Sequence, residues 1–130
     1  MAKRDGAGRL RLRVTFQKKE TIDDGLGGSR GGWVDQFTVP AALEPKFGGN
    51  AETIIASRLD ARQPYNLIIR SHKTARQVTA AWRVYDVRAG VKIDEKGVKL
   101  PNRVFGIKTI VNPDGRNAYL EMLVIEGEDG

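Results

Sequence analysis

With 130 residues and 22 basic against 16 acidic side chains, for a net charge of +6, the chain is long enough for one domain with a real core and too short for two. It contains no cysteine, so neither disulfides nor thiolate metal sites hold it together, and its basic surplus permits contact with DNA or another polyanion without requiring it. No apolar run approaches the roughly 20 residues of a membrane helix.

Residues 1–8, Met-Ala-Lys-Arg-Asp-Gly-Ala-Gly, carry charge with no apolar segment after them. That predicts a flexible arm rather than a signal peptide, and a soluble protein made inside the cell. From 9 to 19 the chain alternates. Leu10, Leu12, Val14 and Phe16 take one face and Arg9, Arg11, Arg13, Thr15 and Gln17 the other, the period of a half-buried strand. The glycine-rich stretch from Thr21 to Gly32 cannot pack a core and predicts a mobile connection. A second strand follows, with Trp33, Asp35, Phe37, Val39, Ala41 and Leu43 on one parity. Pro40 argues for an edge position, a bulge or a break, and Pro45 with Gly48-Gly49 closes the strand.

Ala51 to Ala61, capped by Asn50 and striped by Ile54, Ile55 and Leu59, predicts one short α-helix that needs the sheet to persist. Strands are expected over Tyr65–Arg70 and Ala80–Arg88, with a polar, basic link Ser71–Gln77 between them. Val91 to Asn102 predicts an extended hairpin or long loop. The last two strand-like runs, from Arg103 to Val111 and from Tyr119 to Glu126, bend around Asn112-Pro-Asp-Gly115. There Pro113 presets its φ for a turn and Gly115 supplies a left-handed residue. Apolar residues on both parities of this hairpin suit a barrel or sandwich centre with both faces at least partly covered. No repeat or change of composition divides residues 1–130, so the expectation is a single, mainly β domain of antiparallel strands with one short helix and long loops.

The chemical inventory is thin. One histidine and no cysteine leave only an all-oxygen metal site, and Asp23-Asp24, flanked by glycines, reads as a solvated turn. His72 reads as an exposed loop residue with no triad partners. Gly25 to Gly32 lacks the Gly-Lys-Ser/Thr of a phosphate loop and leads into a strand at Trp33, and Arg30 stands where a dinucleotide fingerprint needs its third glycine. No catalytic, metal or cofactor-binding residue is expected, and no cofactor. Arg9, Arg11 and Arg13 form either a positive ladder for DNA or an acidic partner, or a solvated strand face. Trp33, Phe37, Trp82 and Tyr85, each in an apolar-patterned strand, read as core or interface rather than base platforms.

Several pieces occur in a telling order: Arg13-Val-Thr-Phe-Gln-Lys-Lys-Glu20, a glycine-rich loop, Trp33 followed by Thr38-Val39, Ala41 to Pro45 then Gly48, and a short helix. Leu67-Ile-Ile-Arg70, Arg103-Val-Phe-Gly-Ile107, Asn112-Pro-Asp-Gly-Arg116 and Tyr119-Leu-Glu121 follow. In order and spacing they resemble the head-tail joining proteins of tailed bacteriophages, also called head-closure, head-completion or stopper proteins, which gene transfer agents also encode. The resemblance spans residues 9 to 126. Pro40 and Tyr65 depart from it, standing where members often carry a bulky aromatic and a histidine, and residues 91–102 look like an insertion.

The resemblance implies a small β-barrel with a short helix, assembled as a ring beneath the portal and adaptor. Such a ring retains packaged double-stranded DNA and offers a docking surface to tail terminator or tail tube proteins. It catalyses no reaction and resides in the virion at the head-tail interface after synthesis in the host cytoplasm. On that reading the segment from Pro45 to Arg62 projects toward the channel, with Lys46, Arg58 and Arg62 nearest DNA. The glycine loop 21–32 and the hairpin 91–102 meet neighbouring rings. Arg9, Arg11 and Arg13, with Asp23, Asp24, Arg30 and Trp33, and with Lys96 and Lys99, are then the expected ring or partner contacts. Two other readings remain: a nucleic-acid-binding barrel of the oligonucleotide-binding type, and another connector component, either a tail terminator or an adaptor, the latter expected to be largely helical.

Overall fold

The computed structural model describes residues 10–23, 28–45, 63–95, 97–111 and 118–127. Eight strands make up its regular structure: β1 (Leu12–Asp23), β2 (Ser29–Pro45), β3 (Pro64–Arg70), β4 (Arg83–Asp86), β5 (Val91–Ile93), β6 (Lys99–Pro101), β7 (Val104–Val111) and β8 (Tyr119–Glu126). Six of them close into an antiparallel barrel in the order β1-β2-β3-β8-β7-β4, with β4 pairing back onto β1. The remaining two, β5 and β6, form a separate ribbon. Closure leaves each barrel strand with two partners, although β2 meets β3 only from Ala42 to Pro45, and alternate residues of each strand must then fill the interior.

That interior is apolar. Phe16 is fully buried and stacks on Phe37 with centroids 4.7 Å apart, in line with Val84 and Phe105 on the neighbouring strands. On the opposite wall Leu67 and Ile69 face Leu120, Met122 and Val124, all buried. The link after β3 carries a 3-10 turn (Ala75–Gln77), and Ala75, Val78 and Trp82 from this link pack against the core. Since the link joins the end of β3 to the start of β4, it stoppers that mouth of the barrel.

Several expectations change on folding. β1 and β2 extend to Asp23 and Ser29, so most of the stretch from Thr21 to Gly32 is paired strand rather than loop: Thr21 opposes Gly31 and Ile22 opposes Arg30. Glycines tolerate a two-stranded arm because its backbone ladder asks nothing of their side chains. The expected strand over Ala80–Arg88 contracts to Arg83–Asp86, because Asp86 accepts a hydrogen bond from the Arg88 N–H and starts a second 3-10 turn over Val87–Ala89. Pro40 does not break β2. It opposes Arg13 where β2 is paired only with β1, the pairing with β3 beginning at Ala42, so its missing donor costs no ladder bond.

The parity of β2 also changes. Phe16 opposes Phe37 but Gln17 opposes Asp35, so Gln36 is an extra residue in a β-bulge. The bulge turns Trp33 and Asp35 outward while Phe37, Val39 and Ala41 remain toward the core. Leu10 likewise leaves the barrel interior, packing with Ala42 and Ile68 in a small separate cluster. The predicted helix over Ala51–Ala61, the arm 1–8 and the turn Asn112–Gly115 lie outside the described residues.

Candidate functional site

The outer face of β1, β2 and β4 should be polar and wet, yet Thr15, Gln17, Arg83 and Tyr85 are 3%, 1%, 7% and 5% exposed. The chain between β4 and β7 returns along this side: the 3-10 turn Val87–Ala89 lies against β1, and Val91–Ile93 and Lys99–Pro101 form a ribbon joined to the barrel wall through Lys99 and Asp35. Asn102 donates to the Ala89 carbonyl and to that of Gly90, while Lys99 reaches Asp35 at 2.9 Å. Beside it the polar side chains of this face find one another, Thr15, Gln17 and Arg83 buried and Thr38 and Asp35 exposed. Gln17 Nε2 donates to Asp35 Oδ1 at 2.8 Å, its Oε1 accepts from Arg83 Nε at 2.6 Å, and the Thr15 and Thr38 hydroxyls meet at 2.7 Å. Such a network tolerates burial because its members are hydrogen-bonded. Trp33 stands beside it with the Arg83 guanidinium 4.6 Å and the Lys19 ammonium 5.3 Å from its ring centroid, both cation–π distances.

Burial works against the Asp35 charge, but hydrogen bonds from Lys99 and Gln17, the Lys99 charge and a long contact from the Tyr85 hydroxyl outweigh it, so its pKa lies below the ordinary 3.8. The hydrogen bond to Asp35 and its charge raise Lys99 above 10.5. A depressed carboxylate pKa stabilises the folded state above its unfolded value and ceases to do so as pH falls through the folded one; a raised ammonium pKa does the reverse at the alkaline end. The Lys99–Asp35 tie is therefore expected to hold across neutral pH and to loosen in acid below 3.8, the ordinary Asp value. In an NMR titration Lys99→Ala should move the Asp35 midpoint upward and speed amide exchange at Val98 and Leu100; an unmoved midpoint would contradict the assignment.

A second cluster lies at the other mouth of the barrel. Arg103 donates to Glu126 at 3.0 Å, to Asp86 at 3.4 Å and to the Tyr65 hydroxyl at 3.3 Å, and its guanidinium lies 5.1 Å from the Phe105 ring centroid. Desolvation opposes its charge, yet Glu126 and Tyr65 outweigh it and hold the pKa above the ordinary value. Arg103, Arg11 and Arg88 line a cavity of about 630 Å³, with Glu44, Pro45 and Tyr65 among its other walls. Pro45 ends β2 and Pro64 begins β3, so the segment between them leaves and re-enters the barrel at this mouth.

The structure thus places the expected contact residues unevenly. Trp33 and Lys99 come together on the face beside the ribbon, the ammonium joined to Trp33's neighbour Asp35. Arg11 and Arg13 are exposed, and Arg11 alone of the pair lines the second mouth. Asp23 and Arg30 sit in the β1–β2 arm, while Arg9, Asp24, Lys46, Arg58, Arg62 and Lys96 lie outside the described residues. His72 is not a simple exposed loop residue. Its Nδ1 accepts from the Ala75 N–H, its ring meets Phe37 edge-on at 5.0 Å, and its Nε2 is buried without a hydrogen-bond partner. Sequence reading missed the Gln17–Arg83–Asp35 network; the only signal was polar residues interrupting otherwise strand-like runs. Among the described residues no group of three His, Asp or Glu side chains is placed to hold a metal ion, and no helix is long and apolar enough to cross a membrane.

The described residues thus form a closed six-stranded barrel with a 3-10 turn over one mouth, arginines among the walls of the other and a ribbon at its flank. The sequence pattern of the phage head completion protein family matches residues 6–127, and the chain belongs to that family. The family is one of structural proteins of the phage head rather than of enzymes, and the protein is accordingly a virion component. Among solved structures, a chain of the virion of a native gene transfer agent particle superposes with a TM-score of 0.55 at 17% identity, covering 94% of this chain and 98% of that one. Protein SF1141 from Shigella flexneri 2a, solved in solution, gives 0.57 at 24% identity and covers 96% and 99%. Both likenesses establish the shared fold. Comparison with curated proteins finds no match.

Proposed function

We propose that the protein forms a ring in the head-tail connector, between portal or adaptor and tail, where it closes the DNA-filled head and presents the surface on which the tail docks. The observation that carries this reading is membership of the head completion family over residues 6–127. Two features of the barrel support it. Its second mouth, lined by Arg11, Arg88 and Arg103 beside Glu44, with Asp86 and Glu126 paired to Arg103, flanks the departure point of the segment bearing Lys46, Arg58 and Arg62, whose cations would supply the positive charge of a DNA channel. Its flank carries an arm and a ribbon, projecting elements of the kind that engage neighbours while a rigid barrel holds position.

The strand architecture of the described residues favours this place over that of a largely helical adaptor. Trp33 already has two cations against its ring, which leaves it poorly suited as a stacking platform for a base. Deleting residues 46–50 should make the DNA of filled heads nuclease-sensitive while rings still assemble. Retention equal to that of the wild type would sink the assignment of this segment to the channel.

A further inference from the structure

Past Gln17, β1 has no further pairing with β4, and β2 pairs with β3 only from Ala42 to Pro45. Lys18–Asp23 and Ser29–Val34 therefore continue beyond the barrel as a two-stranded arm. Between this arm and the tip of the β5–β6 ribbon lies a cleft of about 550 Å³, lined by Lys19, Gly31, Gly32, Trp33, Val34, Asp35 and the ribbon residues Gly97, Val98 and Lys99. Its chemistry is one-sided. Among its lining residues Lys19 and Lys99 face a single carboxylate, Asp35, which is already engaged by Lys99 and Gln17. The glycines leave main chain uncovered, and the β2 edge from Ser29 to Ala41 pairs with no strand on its far side among the described residues, so an extended segment could add to it.

The chain itself supplies a complementary segment. Although its net charge is +6, three of the four residues Glu126-Gly-Glu-Asp129 are acidic, the densest acidic run it contains. Glu126 is held by Arg103, and Gly127, at φ 92, takes a left-handed conformation as the chain leaves β8, so Glu128 and Asp129 are the charges that follow the sheet. Strand directions put this exit at the mouth where β4 ends and β7 begins, whereas the cleft lies beyond the start of β4.

We propose that the cleft receives Glu128 and Asp129 of a second copy of the chain, Lys19 and Lys99 meeting the carboxylates and Trp33 forming the floor. The contact joins two different patches, the heterologous kind that closes into a ring by rotation, and it rests on the ring reading above. Individually weak exposed ion pairs gain strength when every copy repeats them around a ring.

The absence of cysteine makes cross-linking a direct test. Lys19→Cys in one copy and Asp129→Cys in another, mixed on heads lacking the protein and oxidised, should give a linked pair of chains. Arg70→Cys in place of Asp129→Cys should not. Lys19→Glu should weaken association about tenfold, and adding Glu128→Lys with Asp129→Lys should restore it. Equal linking to the Arg70→Cys control, linking within a single chain that carries both cysteines, or no restoration by the reversed charges would overturn the contact. Copies that assemble on heads without the link would overturn it and leave the ring standing; copies that never associate there would overturn both.

Discussion

Phe16→Ala is expected to lower the unfolding free energy by about 3–5 kcal/mol, measured as a shift in the urea midpoint with an unchanged slope. The side chain is fully buried, its ring lies 4.7 Å from that of Phe37, and its strand neighbours in the core are Val84 and Phe105. The barrel wall cannot easily collapse into the void, because at Phe16 β1 is held by ladders to both β2 and β4, and a cavity that cannot shrink carries the upper part of the usual range. Against a total of about 5–15 kcal/mol for a domain of this kind, such a loss leaves a marginal fold. Phe16→Leu, which keeps much of the volume, should cost under about 1.5 kcal/mol. A loss for Phe16→Ala no larger than that of the leucine variant would mean that Phe16 is not the centre of the barrel core.

Gln17→Leu should cost about 2–3 kcal/mol although it replaces a polar side chain by an apolar one of similar size at a site only 1% exposed. Burial of the leucine is favourable, but Arg83 Nε loses its 2.6 Å acceptor and Asp35 loses a 2.8 Å donor. Arg83 is itself only 7% exposed, so water has little access to the place of the lost acceptor. The penalty is that of a buried donor left unmade, larger than the bond's net contribution in a solvated setting. A double-mutant cycle with Asp35→Asn should reveal coupling between the two positions. A neutral or stabilising Gln17→Leu would show that the network is solvated.

Strand identity was legible wherever one face alternates against solvent. Val14 and Phe16 in β1 enter the core on the parity their spacing implies, whereas β8 is apolar on both parities and only the fold picks Leu120, Met122 and Val124 as its inner face. Trp33 and Asp35 were misplaced because parity counting assumes an unbroken ladder, and a bulge at Gln36, which no local signal announces, inverts every side chain beyond it. Arg103 stood out as part of a motif, but its grip on Glu126, Asp86 and Tyr65 joins four separate strands or their ends and cannot be read from any one of them. The extent of the arm was hidden for another reason. Glycine is a poor strand former in isolation, and only the partner strand makes Gly31 and Gly32 part of a ladder.

By itself the sequence determined a basic, cysteine-free, mainly β chain with the motif order of the head completion family, because composition, period-two patterning and turn residues act over a few neighbours at a time. Only the tertiary structure decided that β4 closes the barrel onto β1, and that Gln17, Asp35 and Arg83 of the barrel wall meet with Lys99 of the 91–102 ribbon reaching Asp35. Those pairings reach as far along the chain as Val14 to Asp86. Their energy comes from burying polar groups together and exists only once the whole barrel has formed.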